Sequence, residues 1–169
     1  MRTYLVALVA VAALAVPAAA SARPPAASPS IVETAIAVNG SGPYAGAFDT
    51  LICLVANNPD VLATLSEKGQ YTVFAPTDAA FALIGVDSTN CAAAASTPAV
   101  TNILLYHVAK GRRDAADVTS SSQIRMLSGS FTRVSAAGGS YFVNDSRIIA
   151  TDVFASNGVI HAIDKVLLP

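Results

Sequence analysis

Tryptophan is absent, and 169 residues hold only two cysteines, two histidines and two methionines. Charged residues make up 12% and aromatics 7%. Each shortage excludes a class of function. Two cysteines and two distant histidines do not supply the ligand spacing of a metal site. Ten basic against eleven acidic residues, a net charge of −1, leave no global field to attract nucleic acid. With so little charge beside 53% hydrophobic residues, intrinsic disorder is excluded as well. There is no G-x-S-x-G, H-E-x-x-H or glycine-rich phosphate loop, so no catalytic residue and no cofactor is expected. The length fits one domain at ~100–200 residues per domain.

The hydrophobic excess is concentrated at one end. Eighteen of the first 22 residues are hydrophobic, which leaves about 49% for the rest, close to an ordinary globular domain. Arg2 precedes an unbroken apolar run from Tyr4 to Val16. Thirteen helical residues span only ~20 Å, short of the ~30 Å hydrocarbon core. Pro17 ends the run, and both Ala18-Ala19-Ala20 and Ala20-Ser21-Ala22 fit a peptidase site. Residues 1–22 are therefore expected to be a signal peptide, with cleavage after Ala22 favoured over Ala20. Residues 23–30, with three prolines, read as a flexible leader, and 31–169 as one folded domain. No lipid-modifiable cysteine follows the cleavage site, and no apolar tail for a glycolipid anchor follows the last strand-like run. The expected location is secreted, either periplasmic or extracellular.

Export gives Cys53 and Cys91 a meaning. In an oxidising compartment two cysteines most simply form one disulfide, here closing a loop of 38 positions.

Several local signals set the elements. Phe48, Leu51, Ile52 and Val55 lie on one helical face. Asn58-Pro59 and Thr97-Pro98 each pair a cap with proline at the first helical position, and Thr77 caps a helix expected to run through Ile84. Asp87 to Thr97 reads as an alanine-rich loop tied down through Cys91. Val100, Ile103, Leu104 and His107 share a helical face expected to end near Gly111. Strands are expected at Tyr71–Phe74, Phe131–Val134, Tyr141–Val143, Ile148–Phe154 and Val159–Leu168, with a hairpin at Ser156-Asn157-Gly158. Helices crowd the first half and strands the second, which argues for an α+β fold.

Three motifs then carry a family resemblance. Tyr71-Thr-Val-Phe-Ala-Pro-Thr-Asp-Ala-Ala-Phe81 resembles the first signature box of fasciclin (FAS1) domains. Ser156-Asn-Gly-Val-Ile-His-Ala-Ile-Asp-Lys-Val-Leu-Leu-Pro169 resembles the second. Tyr106-His107, inside Asn102-Ile-Leu-Leu-Tyr-His-Val108, is similar to the central Tyr-His motif. The resemblance implies a wedge of β-sheets flanked by α-helices, secreted or surface-displayed. It implies adhesion or matrix interaction for most members and apolar pigment carriage for a few. By the same resemblance Tyr106 and His107 are the candidate adhesion or binding residues. The Cys53/Cys91 pair departs from the simplest family pattern.

Physical chemistry offers plainer roles for the same residues. Pro76 and Thr77 make a strand-to-helix corner, and Asp78 complements the helix dipole. His107, on an apolar helical face, reads as a core histidine with a hydrogen-bond partner. His161 reads the same way. Lys110-Gly111-Arg112-Arg113 reads as a cluster complementing a helix C-terminus, ahead of an anionic glycan site. Asn39-Gly-Ser41 and Asn144-Asp-Ser146 match the glycosylation sequon and matter only in a host that modifies it.

Two functions remain open. One is an interaction module for a cell-surface, envelope or matrix partner. The other is a soluble carrier of an apolar ligand such as a carotenoid or lipid. The lack of tryptophan and the scarcity of aromatics favour the first.

Overall fold

The computed structural model describes residues 28–67 and 69–169. The signal peptide expected over 1–22 lies outside them, as does most of the leader. Among the described residues no helix is long and apolar enough to cross a membrane.

The chain forms α1 (Ile31–Gly40), α2 (Asp49–Ala56), α3 (Pro59–Ser66), β1 (Tyr71–Pro76), α4 (Asp78–Ala82), α5 (Cys91–Ala95) and α6 (Pro98–Tyr106). It continues as β2 (Val108–Lys110), α7 (Ala115–Ser120), β3 (Gln123–Arg125), β4 (Phe131–Ala137), β5 (Ser140–Val143), β6 (Ser146–Ala155) and β7 (Gly158–Ile163). The fold is α+β, a central sheet flanked by helices.

The local caps act as their residue types dictate. Asn58, Thr77 and Thr97 each accept a hydrogen bond from the third backbone N–H beyond, satisfying an otherwise orphan donor. A further cap has no counterpart among the expected signals. Ser30 and Glu33 form a reciprocal capping box that starts α1. Pro29 and Ser30 thus belong to the folded unit and not to a flexible leader: the Pro29 carbonyl accepts from Ser156 N–H at 2.9 Å.

Other expectations are corrected. The alanine-rich stretch around Cys91 is helical, as α5, because the disulfide buries Cys91 and Ala95 seats one face. The helix capped by Thr77 ends at Ala82, leaving Leu83 and Ile84 exposed. α6 ends at Tyr106, and Val108–Lys110 pairs with β1 as a strand. α7, capped by Asp114, and β3 had no expected counterpart. β7 stops at Ile163, short of Leu168.

The strand order is β2-β1-β7-β6-β5-β4-β3. β1 and β7 are parallel, and every other pairing is antiparallel. The sheet curls until the bridge Ala109↔Met126 brings its two ends together. Two cores follow from the period-two alternation of strand side chains. Val73, Ala75, Ile160 and Ala162 face the helices, with Leu54, Val61, Leu65 and Leu104 packed on them. Phe74, Ile163, Ile124 and Val143 face into the curl, with Tyr106, Val118 and Leu167. Gly158 is required at the hairpin exit, because a Cβ there would collide with the Tyr71 carbonyl oxygen.

Candidate functional site

Tyr106 and His107 are neighbours at the end of α6, yet their side chains enter different cores. His107 is the C-cap and is 2% exposed. Its Nδ1 lies 2.7 Å from the Ile103 carbonyl oxygen, and a carbonyl only accepts, so Nδ1 carries the proton. Nε2 then accepts from Leu167 N–H at 2.8 Å. Both nitrogens are satisfied in one neutral tautomer. Burial removes the solvent that would stabilise the imidazolium and lowers the pKa to about 4, against a smaller opposing effect of the Ile103 carbonyl.

Tyr106 points into the curl, 4% exposed. Its hydroxyl donates to the Phe131 carbonyl at 3.0 Å and accepts from Asn144 Nδ2 at 3.1 Å. Asn144 also accepts from Arg133 N–H at 2.9 Å. One amide therefore joins α6, β4 and the β5–β6 turn, where Asn144 itself has φ of 54°. Of its sequon, Asn144 and Asp145 form the turn while Ser146 opens β6, and the Asn144 amide is committed internally. Asn39, expected in a turn, lies in the last turn of α1. Its amide donates to Asp49 Oδ1 at 2.7 Å and accepts from Phe48 N–H at 2.8 Å.

His161 is fully buried in β7. Nε2 faces the Arg113 carbonyl at 2.9 Å, and Nδ1 accepts from Asp152 N–H at 3.3 Å. Burial lowers its pKa, with the Arg113 hydrogen bond and the Asp152 and Asp114 charges opposing. Both histidines are the hydrogen-bonded core residues that their apolar neighbours implied.

The basic cluster is not at a helix end, which corrects the reading of it. Lys110 closes β2, four residues beyond α6. The Arg112 guanidinium stacks over the Phe154 ring at 4.7 Å. Arg113 N–H donates to Thr72 Oγ1 at 2.9 Å.

Above His107 lies an apolar cavity of about 150 Å³, partly open to solvent. α1, α2 and α3 roof it, and β1, β7 and the end of α6 form its floor. Ile36, Ile52, Val55, Leu62 and Leu104 are among the residues on its wall, and His107 is the one polar side chain there. With both ring nitrogens already bonded, His107 offers a ligand no free donor or acceptor. Nothing in the linear order of residues signals this space, since its walls come from seven elements. Cys53 and Cys91 form the expected disulfide, joining α2 to α5 with Cα atoms 6.0 Å apart. Among the described residues no group of three or more His, Cys, Asp or Glu is placed to hold a metal ion.

Comparison with known proteins identifies the fold. The fasciclin domain family matches residues 46–169. The chain is 38% identical to protein sll1483 of Synechocystis sp. over 123 residues, covering 72% of this chain and 67% of that one. A second Synechocystis protein, sll1735, is 36% identical over 142 residues, 83% of this chain and 98% of that one. Immunogenic protein MPB70 of Mycobacterium bovis is 36% identical over 113 residues, 66% of this chain and 57% of its own length. In three dimensions the chain resembles a FAS1 domain pair from the insect cell adhesion molecule Fasciclin I, with TM-score 0.65 and 19% identity. That match covers 83% of this chain and about half, 51%, of the pair. The chain belongs to the fasciclin (FAS1) domain family.

Proposed function

We propose that the domain works outside the cytoplasm and binds a cell-surface, envelope or matrix component through its surface. The observation that carries this choice over cargo carriage is the size of the apolar cavity. At about 150 Å³ it falls below the ~300–1,000 Å³ of small-molecule sites. It also lacks the free polar groups that orient a ligand in such sites.

Two further points support the reading. The disulfide suits an oxidising compartment. A relative, 33% identical over 66% of this chain and 50% of its own, is the cell surface glycolipoprotein MPB83 of Mycobacterium bovis. Tyr106 and His107 serve this function indirectly. Buried as they are, they hold the strands and the C-terminal segment in place and leave contact to the surface around them.

Co-sedimentation of the purified protein with envelopes of its own host tests the proposal. Saturable binding that a His107→Ala variant retains, at a temperature where it is still folded, is expected. No binding to envelopes or to host extracellular material would overturn the reading.

A further inference from the structure

Helices cover one side of the sheet at the β1–β7 end, through Val73, Ala75, Ile160 and Ala162. The same side is bare at the β3–β5 end. Strand register defines what stands on it. Arg125 is opposite Phe131, Gln123 opposite Arg133, Ser135 opposite Phe142, and Phe142 opposite Arg147. Phe131, Arg133 and Ser135 alternate along β4 with Thr132 and Val134, which face inward. The bare face thus carries Arg125, Arg133 and Arg147 around Phe131 and Phe142. All three arginines are exposed, Phe131 is 58% exposed, and Phe142 is half-buried in the strand face.

Among the described residues no salt bridge joins an acidic side chain to these arginines. The ion pair among the described residues joins Lys165 to Asp145 at 3.4 Å. Asp164, the other acid close to Arg147, accepts from the Arg147 backbone N–H at 2.8 Å. The near-zero net charge hides a segregation. Residues 28–106 contain six acidic residues and one lysine, whereas 107–169 contain seven basic and five acidic residues. The arginines therefore belong to the more basic half of the chain.

We propose that this face binds an acidic polysaccharide, with carboxylates on Arg125, Arg133 and Arg147 and sugar rings against Phe131 and Phe142. The proposal rests on the extracytoplasmic interaction reading and names the chemistry of its partner. Guanidinium groups match planar carboxylates, and aromatic faces offer flat apolar surface to a pyranose ring. Strands ~4.8 Å apart spread these groups in a row that suits an extended chain. Three arginines fall short of the four to eight basic residues typical of an anionic-membrane site. A pI near 6.0 is far from that of a nucleic-acid-binding domain.

The test is titration of the full secreted chain with polygalacturonate, alongside dextran, phosphatidylserine vesicles and duplex DNA. Expected are binding to polygalacturonate alone, weakening as salt is raised, and a loss of about threefold for each of R125Q, R133Q and R147Q. Phe131→Ser should weaken binding at unchanged salt dependence. All four positions are exposed enough that melting temperature should hold, which verifies folding. Equal binding by the triple Arg→Gln variant overturns the proposal, as does tighter binding to vesicles or to DNA. If the triple variant still sediments with host envelopes as well as the parent, this face falls while the interaction reading stands. If the parent binds polygalacturonate but no host material, the interaction reading falls and the face stands.

Discussion

Leu167 N–H donates to His107 Nε2 at 2.8 Å, joining the end of α6 to the C-terminal segment across 60 positions. β7 ends at Ile163, four residues ahead of this bond. The backbone beyond it turns away from the sheet, and Leu167 packs into the curl beside Phe74 and Ile163. His107 is thus one fastening of the C-terminal segment, beside the bond from Ser146 Oγ to the Lys165 carbonyl.

Removing that fastening should be costly. His107→Ala leaves the Leu167 N–H and the Ile103 carbonyl without their partner and enlarges the cavity above. Together these cost about 2–4 kcal/mol. Thermal unfolding should show a melting temperature lower by roughly 6–12 °C. A variant that melts with the parent but no longer binds envelopes would assign His107 a contact role instead.

Acid should destabilise the domain earlier than carboxylate titration alone would. His107 has its ordinary value of 6.5 when unfolded and about 4 when folded, so between these the unfolded chain binds more protons. Stability is then full above pH 6.5, declines as pH falls toward about 4, and levels off below. The decline attributable to His107 is about 3 kcal/mol. His161, also lowered, adds to it in the same direction. Denaturant melts from pH 7 to 4 should show this slope, and His107→Gln should reduce it without abolishing it.

Tyr106→Phe removes a hydroxyl bonded to both the Phe131 carbonyl and Asn144. The expected loss is about 1–2 kcal/mol, measured by urea unfolding. Hydrogen exchange should quicken at Arg133 N–H, whose acceptor is the same Asn144 side chain. Protection there unchanged would mean that Tyr106 does not position Asn144.

Reduction of Cys53–Cys91 opens a loop of 38 positions. The chain-entropy relation assigns it about 4 kcal/mol. Melting with and without dithiothreitol measures the loss, which should match that of the double Cys→Ser variant.

What the sequence revealed was what is local. Asn58-Pro59, Thr77 and Thr97-Pro98 cap helices through bonds three residues long, so residue type suffices. Ser30 and Glu33 follow the same rule, but the prolines before them give that stretch the composition of a leader. The alanines after Cys91 carry no apolar period, and only the disulfide and the burial of Ala95 show why they coil. Val108–Lys110 continues the apolar pattern of α6, so its pairing with β1 required tertiary contact to be seen. The adjacency of Tyr106 and His107 was visible, but their pointing into opposite cores was not. The bare arginine face is equally invisible until the β3–β6 register is known, although Phe131-x-Arg133-x-Ser135 alternates as such a face must.

Native mass spectrometry of the protein purified from its own host tests the central claim, action through the surface and not by cargo, most directly. The expected result is the bare polypeptide mass and no visible absorbance, in a preparation that still binds host envelopes. A reproducible extra mass of an apolar molecule, released on unfolding, would contradict it.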